Sequence, residues 1–255
     1  MLGKAIVIVS ISFLLLFSGG LFLSASALSK TSTTGIVVPL YTYPTDKSWS
    51  SLVKVKQSYP SVPIIAIINP NSGVGSSKDS SYVSGVKLLQ SAGIIVLGYV
   101  HTSYGSRSAS SLEKEISEYR SWYGVNGIFF DEMSSSGSTL GYYTTLANYV
   151  KSLQLSMTMG NPGTTVSSNL VGVFSNLCIY ENPGMPQTSQ ISGYASYGKA
   201  GFSYIAYGVG SMPSQTTIKS SANYVGYLYI TNLGGSNPYN GLPSYISKEA
   251  AALAA

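Results

Sequence analysis

Carboxylate side chains are rare in this chain, and three of them stand where strongly apolar segments end. The sequence contains nine Asp and Glu residues among 255. Asp131 and Glu132 follow the apolar run at 127–130, and Glu181 follows the apolar run at 177–180. Burying a charge is costly unless the charge is paired or hydrogen-bonded. This placement favours acid–base chemistry, whereas a helix cap or an ion pair is the structural alternative for each residue taken alone.

The other acidic residues stand in ordinary surroundings, namely two loops, a polar helical stretch and the tail. They are Asp46, Asp79, Glu113, Glu115, Glu118 and Glu249. We assign none of them to a site.

Metal and cofactor chemistry has little support in the sequence. The single His and the single Cys, His101 and Cys178, cannot build a zinc site of the usual kind. A Ca²⁺ or Mg²⁺ cage would need more oxygens than Asp131 and Glu132 supply. We expect no metal and no cofactor, and we expect Cys178 to be a small buried hydrophobe.

Apolar runs alternate with helix-length polar segments along the chain. The runs are continuous, as in parallel strands that are buried on both faces. Predicted strands cover 36–41, 64–69, 94–100, 127–131, 155–159, 177–181, 204–209 and 225–231. Predicted helices cover 49–59, 82–92, 111–123, 140–153, 189–197 and 214–224. Eight strands joined by crossovers predict an α/β fold, a single (β/α)8 TIM-type barrel over residues 28–255.

The carboxyl ends of barrel strands carry the active face of such a fold. The residues predicted there are rich in amides and aromatic rings and include almost no cations, which argues against phosphorylated substrates. Aromatic faces stack on sugar rings, and amides hydrogen-bond to hydroxyls. The candidate substrate-binding residues are Tyr41, Tyr43, Asn69, Asn71, Tyr99, His101, Asn161, Asn182, Tyr207 and Tyr229. For His101, a purely structural role stays equally open.

Six motifs at these strand ends occur in one order. They are Pro-Leu-Tyr-x-Tyr-Pro at 39–44, Asn-Pro-Asn-Ser-Gly-x-Gly at 69–75, Gly-Tyr-Val-x-Thr-x-Tyr-Gly at 98–105, Gly-Ile-Phe-Phe-Asp-Glu at 127–132, Asn-Pro-Gly-Thr at 161–164 and Tyr-Glu at 180–181. Together they resemble the spherulin-4 family, whose studied fungal members are secreted glycoside hydrolases. The resemblance implies a TIM-type barrel that cleaves galactosamine-containing polysaccharide. It also implies that Asp131, Glu132 and Glu181 are the catalytic residues.

The amino-terminal segment has the features of an export signal. Lys4 precedes an apolar stretch at 5–23, and Ala25-x-Ala27 follows as a cleavage pattern. We expect residues 1–27 to be removed and the protein to be secreted or held at the cell surface. The stretch is also long enough for an uncleaved membrane anchor. A net charge of +5 without a basic cluster argues against nucleic acid binding.

The leading hypothesis is therefore an exported, monomeric, endo-acting glycoside hydrolase. Asp131 would be the nucleophile or charge stabiliser, Glu181 the general acid/base, and Glu132 an assisting group, with retention of configuration favoured. A non-catalytic carbohydrate-binding protein and a structural envelope protein on the same barrel are the alternatives.

Overall fold

Eight parallel strands close into a barrel in the computed structural model, which describes residues 33–255. Each strand pairs with the next, and β8 returns to β1. The strands are β1 (Gly35–Leu40), β2 (Ile64–Ile68), β3 (Ile95–His101), β4 (Gly127–Asp131), β5 (Met157–Gly160), β6 (Asn176–Pro183), β7 (Phe202–Tyr207) and β8 (Tyr227–Ile230). The predicted (β/α)8 barrel is confirmed. The leader predicted at residues 1–27 lies outside the described residues.

Helices cover the outside of the barrel. They are α1 (Lys47–Ser58), α2 (Ser80–Ser91), α3 (Ala109–Glu118), α4 (Leu140–Ser152), α5 (Thr188–Ile191), α6 (Gln215–Ser221) and α7 (Ile246–Ala254). The first four match their predictions closely. The predicted helix at 189–197 is one short α-helical turn followed by 3₁₀ turns. Among residues 33–255, no helix is long and apolar enough to cross a bilayer.

Side chains alternate between the barrel interior and the helical layer, as the pleat of a strand requires. In β3, a Cβ atom added to Gly98 would lie 2.5 Å from the ring of Tyr119, so position 98 faces the helices. The next residue, Tyr99, points inward, and its ring centroid lies 6.2 Å from that of Phe129. This alternation brings Tyr99 and Asp131 to the same interior space.

Strand β6 breaks the alternation with a β-bulge. Cys178 pairs with Ser203 and Glu181 pairs with Ile205, so β6 has one residue more than β7 between these pairs. Cys178 lies in the interior, within reach of the charges of Glu181 and Asp131. Strict alternation from Cys178 would turn Glu181 outward. The extra residue reverses the phase and directs Glu181 inward, which is how a bulge re-aims a side chain.

Helix α7, which the sequence interpretation missed, carries a wholly buried carboxyl group. Glu249 is 0% exposed, so the expectation of an ordinary tail residue is wrong. The last register pair between β1 and β8 is Ile36 with Leu228, which leaves the N–H of Ile230 without a strand partner. That N–H donates to Glu249 Oε1 at 3.1 Å. Burial raises the pKa of Glu249 well above its ordinary value.

Candidate active site

Asp131 is the last residue of β4, and both of its carboxylate oxygens accept hydrogen bonds. Tyr99 donates its hydroxyl to Oδ2 at 2.8 Å, and Asn161 donates Nδ2–H to Oδ1 at 2.8 Å. Tyr99 comes from β3 and Asn161 directly follows β5, so the two neighbouring strands hold the carboxylate from either side. Two donors stabilise the ionised form of a carboxylate.

Glu181 reaches the same space from β6. Asn161 donates Nδ2–H to its Oε2, and Tyr239 donates its hydroxyl to Oε1. Tyr239 lies in the loop 231–245, between β8 and α7. Four successive strand ends, those of β3 to β6, and the loop after β8 therefore contribute to one hydrogen-bonded chain that runs from Tyr99 to Tyr239.

The amide of Asn161 links the two carboxylates. Its Oδ1 accepts the backbone N–H of Gly163 at 3.0 Å, which fixes Nδ2 as the end that faces Asp131 and Glu181. Each of the two Nδ2 hydrogens then serves one carboxylate. For hydrogen bonds of ordinary length and a trigonal nitrogen, the two accepting oxygens lie about 5 Å apart.

The surroundings of Glu181 raise its affinity for a proton. Burial raises the pKa of Glu181, and the nearby charge of Asp131 raises it further. The hydrogen bonds from Tyr239 and Asn161 oppose this increase because they stabilise the ionised form. Glu181 therefore holds a proton more readily than an ordinary glutamate does.

Tyr41, at the end of β1, packs between two of these tyrosines. Its ring meets Tyr99 and Tyr239 edge-on, with centroids 5.6 and 5.4 Å apart. Burial and then the charge of Asp131 raise its pKa well above 10. Burial also raises the pKa of Tyr99 and Tyr239. All three hydroxyls therefore stay neutral and available as hydrogen-bond donors.

Glu132 follows Asp131 but leaves the strand direction at once. Its φ of 50° is left-handed, so the strand ends between the two residues. Its backbone oxygen accepts from Thr102 Oγ1 and from the N–H of Tyr104, both at 2.7 Å. Its carboxylate lies close enough to Tyr99 to raise the pKa of that hydroxyl. Glu132 therefore lies beside the Asp131–Glu181 pair and outside its hydrogen-bonded chain.

His101 lies at the end of β3, in register with Asp131. Its Nδ1 is 3.3 Å from Arg107 Nη1, which also donates to the His101 backbone oxygen at 2.8 Å. A guanidinium has donors only, so a hydrogen bond between these two atoms uses Nδ1 as the acceptor. Arg107 is ion-paired with Glu115. The mouth thus includes a cation that the sequence interpretation did not place there.

Three predicted binding residues shape the rim rather than the carboxylate pair. Asn69 Oδ1 accepts the N–H of Gly73 at 3.0 Å and holds the turn after β2. Asn71 is exposed in the same turn. Tyr43 is exposed and donates its hydroxyl to Asp79 at 3.0 Å.

The remaining three predicted binding residues differ in their access to the site. Asn182 is exposed beside Glu181, and Tyr207 is half-buried at the end of β7, within electrostatic range of Tyr239. Tyr229 is 0% exposed, and burial and then the charge of Glu249 raise its pKa. A ligand at the mouth cannot contact this ring, so Tyr229 does not belong to the binding surface. It pairs in register with Ile205, the partner of Glu181, so burial and not strand phase removes it from the surface.

Tyr239, which donates to Glu181, is a residue of the carboxylate cluster that the sequence interpretation missed. It lies outside every predicted strand and helix, in a Gly/Asn/Pro-rich stretch. The length of the loop 231–245 was an available signal, because long loops at the carboxyl face of a barrel commonly carry function. Among the described residues, no group of three or more His, Cys, Asp or Glu side chains is arranged to hold a metal.

The fold and the site define a (β/α)8 barrel with a bridged Asp–Glu pair at its carboxyl mouth. Residues 35–253 match the sequence profile of Spherulation-specific family 4, and the chain belongs to that family. It is 39% identical over 237 residues to Spherulin-4 of Physarum polycephalum, covering 86% of this chain and 69% of the relative.

Two solved structures share the fold. Aspergillus clavatus Sph3, crystallised in complex with GalNAc, superposes with a TM-score of 0.78 at 24% identity, covering 88% of this chain and 98% of Sph3. The spore cortex-lytic enzyme SleL of Bacillus cereus gives a TM-score of 0.55 at 9% identity, covering 86% of this chain and 74% of SleL.

Proposed function

We propose that this protein is an endo-acting glycoside hydrolase, which cleaves internal bonds of an amino-sugar polysaccharide. The observation that carries the proposal is the Asn161 bridge, in which one amide nitrogen donates to both carboxyl groups at the mouth of the barrel. Ordinary hydrogen-bond geometry puts the two accepting oxygens about 5 Å apart. That spacing is typical of retaining glycosidases, whereas inverting enzymes leave about 6.5 to 9.5 Å for a water molecule.

The raised pKa of Glu181 assigns the roles. Glu181 donates its proton to the leaving-group oxygen while the Asp131 carboxylate attacks the anomeric carbon, so a glycosyl–Asp131 ester forms and the glycosidic bond breaks. Glu181, now ionised, then takes a proton from water. The resulting hydroxide attacks the same carbon and releases Asp131. Tyr239 and Asn161 stabilise the ionised Glu181 between the two steps.

The charge of the mouth supports an amino sugar as substrate. Asp131, Glu132 and Glu181 gather there, whereas Arg107 is ion-paired with Glu115. A carboxylate excess favours a substrate that carries an amine or amide over one that carries acid groups. The complex of the fungal relative Sph3 with GalNAc agrees with this choice.

The direct test measures reducing ends released from galactosamine-containing polymers by the purified barrel. We expect release by the natural chain and at least about a hundredfold less by Asp131→Asn, the usual scale for losing a positioned catalytic group. Binding without release by the natural chain would favour the carbohydrate-binding alternative. The anomer released first from a defined oligosaccharide, followed by NMR, tests retention, and an inverted product would contradict the covalent step.

We also propose that the protein is exported with residues 1–27 removed. Lys4, the apolar stretch at 5–23 and Ala25-x-Ala27 support this location. Sequencing the amino terminus of the native protein tests it, with Leu28 as the expected first residue. A chain that begins near Met1 in the membrane fraction would show an anchor instead.

A further inference from the structure

Tyr104, in the loop after β3, exposes more of its side chain than any other large hydrophobic residue among residues 33–255. It is 68% exposed, compared with 55% for Tyr197 and 49% for Tyr43. A ring that stays in water contributes little to the stability of the fold. Folding alone therefore gives no reason for an aromatic residue at position 104.

The backbone conformation at position 104 makes an aromatic residue there more costly. Its φ is 57° and its ψ is 30°, which is the left-handed region. Ser103, just before it, has a φ of 45°. This region suits Gly and Asn, whereas a bulky residue is strained there. A sequence selected for stability alone would place Gly at position 104.

The strained turn is tied directly to the catalytic strand. The N–H of Tyr104 donates to the backbone oxygen of Glu132 at 2.7 Å, and Thr102 Oγ1 donates to the same oxygen at 2.7 Å. Glu132 immediately follows Asp131. The backbone that carries the exposed ring is thus held at a fixed distance from the carboxylate pair.

Strain of this kind concentrates on one side of the mouth. The described chain has five non-glycine residues with positive φ, and four of them lie in the loops after β2, β3 and β4. Those four are Ser72, Ser103, Tyr104 and Glu132. Strained backbone tends to cluster where function requires it. The side of the mouth formed by β2, β3 and β4 is therefore shaped for a ligand.

We propose that Tyr104 is a stacking platform for a sugar unit of the polysaccharide, at a subsite beyond the one where the bond is cleaved. The proposal rests on the proposed function for the identity of the ligand. The apolar C–H face of a pyranose packs on an aromatic face, and the fixed backbone lowers the entropy lost on binding. This subsite would make the affinity depend on oligosaccharide length.

The test measures binding of galactosamine oligosaccharides of increasing length by calorimetry, in the Asp131→Asn background so that the ligand stays intact. We expect Tyr104→Ala to weaken binding of the longer oligosaccharides by about tenfold, the effect of roughly 1.4 kcal/mol of stacking. Binding of the shortest ones should not change. Tyr104→Phe should bind like Tyr104 because it keeps the ring.

Two further variants separate ligand binding from folding. Tyr104→Gly removes the ring and relieves the strain, so it should weaken binding while its melting temperature equals or exceeds that of the parent. Tyr197→Ala is the matched control, because Tyr197 is an exposed tyrosine that packs against Phe202 at the opposite, amino-terminal end of β7. It should bind all oligosaccharides normally.

The outcomes distinguish this proposal from the proposed function. If Tyr104→Ala binds oligosaccharides of every length as tightly as Tyr197→Ala does, the subsite is overturned and the hydrolase proposal is unaffected. If Tyr104→Ala weakens binding of the longer oligosaccharides but the natural protein releases no reducing ends, the result supports the subsite and overturns the hydrolase. A natural chain that binds no oligosaccharide would overturn both.

Discussion

Strands β4 and β6 each deliver one carboxylate to the mouth of the barrel, but by different routes. Asp131 ends a regular strand and is held by neighbours on both sides, Tyr99 and Asn161. Glu181 needs a β-bulge to face inward and takes its second hydrogen bond from the distant loop that carries Tyr239. In the proposed mechanism, the regular strand fixes the group that stays ionised, and the irregular strand positions the group that gains and loses a proton.

The largest expected effect separates these two roles. Asp131→Asn and Glu181→Gln should each lower turnover of the polymer by at least about a hundredfold. With a substrate whose leaving group needs no proton, such as an aryl glycoside, Glu181→Gln should recover the formation of the glycosyl–enzyme, seen as a burst of the released phenol. Asp131→Asn should show no burst. A burst from Asp131→Asn would reverse the assignment.

A smaller effect should appear in the pH profile. The Tyr239 hydrogen bond lowers the pKa of Glu181, so Tyr239→Phe should raise that pKa. Because the general acid works only while protonated, the alkaline limb of kcat/KM should move to higher pH, with a loss of about tenfold or less at the optimum. Tyr99→Phe is the matched control, since its hydroxyl serves Asp131 and should leave this limb in place. Equal shifts in both variants would contradict the separation of roles.

The smallest effect concerns stability rather than catalysis. The folded-state pKa of Glu249 lies above its unfolded value, so the folded chain binds more protons between the two values and its stability falls as pH rises through that window. Glu249→Gln keeps an acceptor for Ile230 N–H without a charge. We expect it to raise the free energy of unfolding at pH 7 by about 1 to 3 kcal/mol and to flatten its pH dependence.

Denaturant unfolding of the natural chain and the Glu249→Gln variant, measured from pH 4 upward, checks this prediction. Glu249→Ala is the control, because it leaves Ile230 N–H without an acceptor and should destabilise the fold at every pH. If the Glu249→Gln variant has a lower free energy of unfolding than the natural chain at pH 7, the buried carboxylate is stabilising and the prediction is wrong.

The strands could be predicted from the sequence because each is a continuous apolar run that ends in polar residues, as at Asp131 and Glu181. The carboxylates were recognisable because a buried strand rarely ends in a charged residue unless that charge is paired or has a task. The bulge in β6 was not predictable, since an extra residue in an apolar run leaves no mark on composition. Tyr239 was missed because its partner Glu181 lies 58 residues away along the chain, and Glu249 was missed because helix α7 was not predicted.

The closure of the barrel sets the order in which this chain can complete its fold. β1 pairs with β8, and Thr34 Oγ1 donates to Val225 O across 191 residues. The first strand to be synthesised therefore waits, with one edge open, until the last strand has been made. Non-local pairing of this kind slows folding and leaves a strand edge exposed to other chains. The barrel is therefore complete only when β8 has paired with β1 and Glu249 has reached Ile230 N–H.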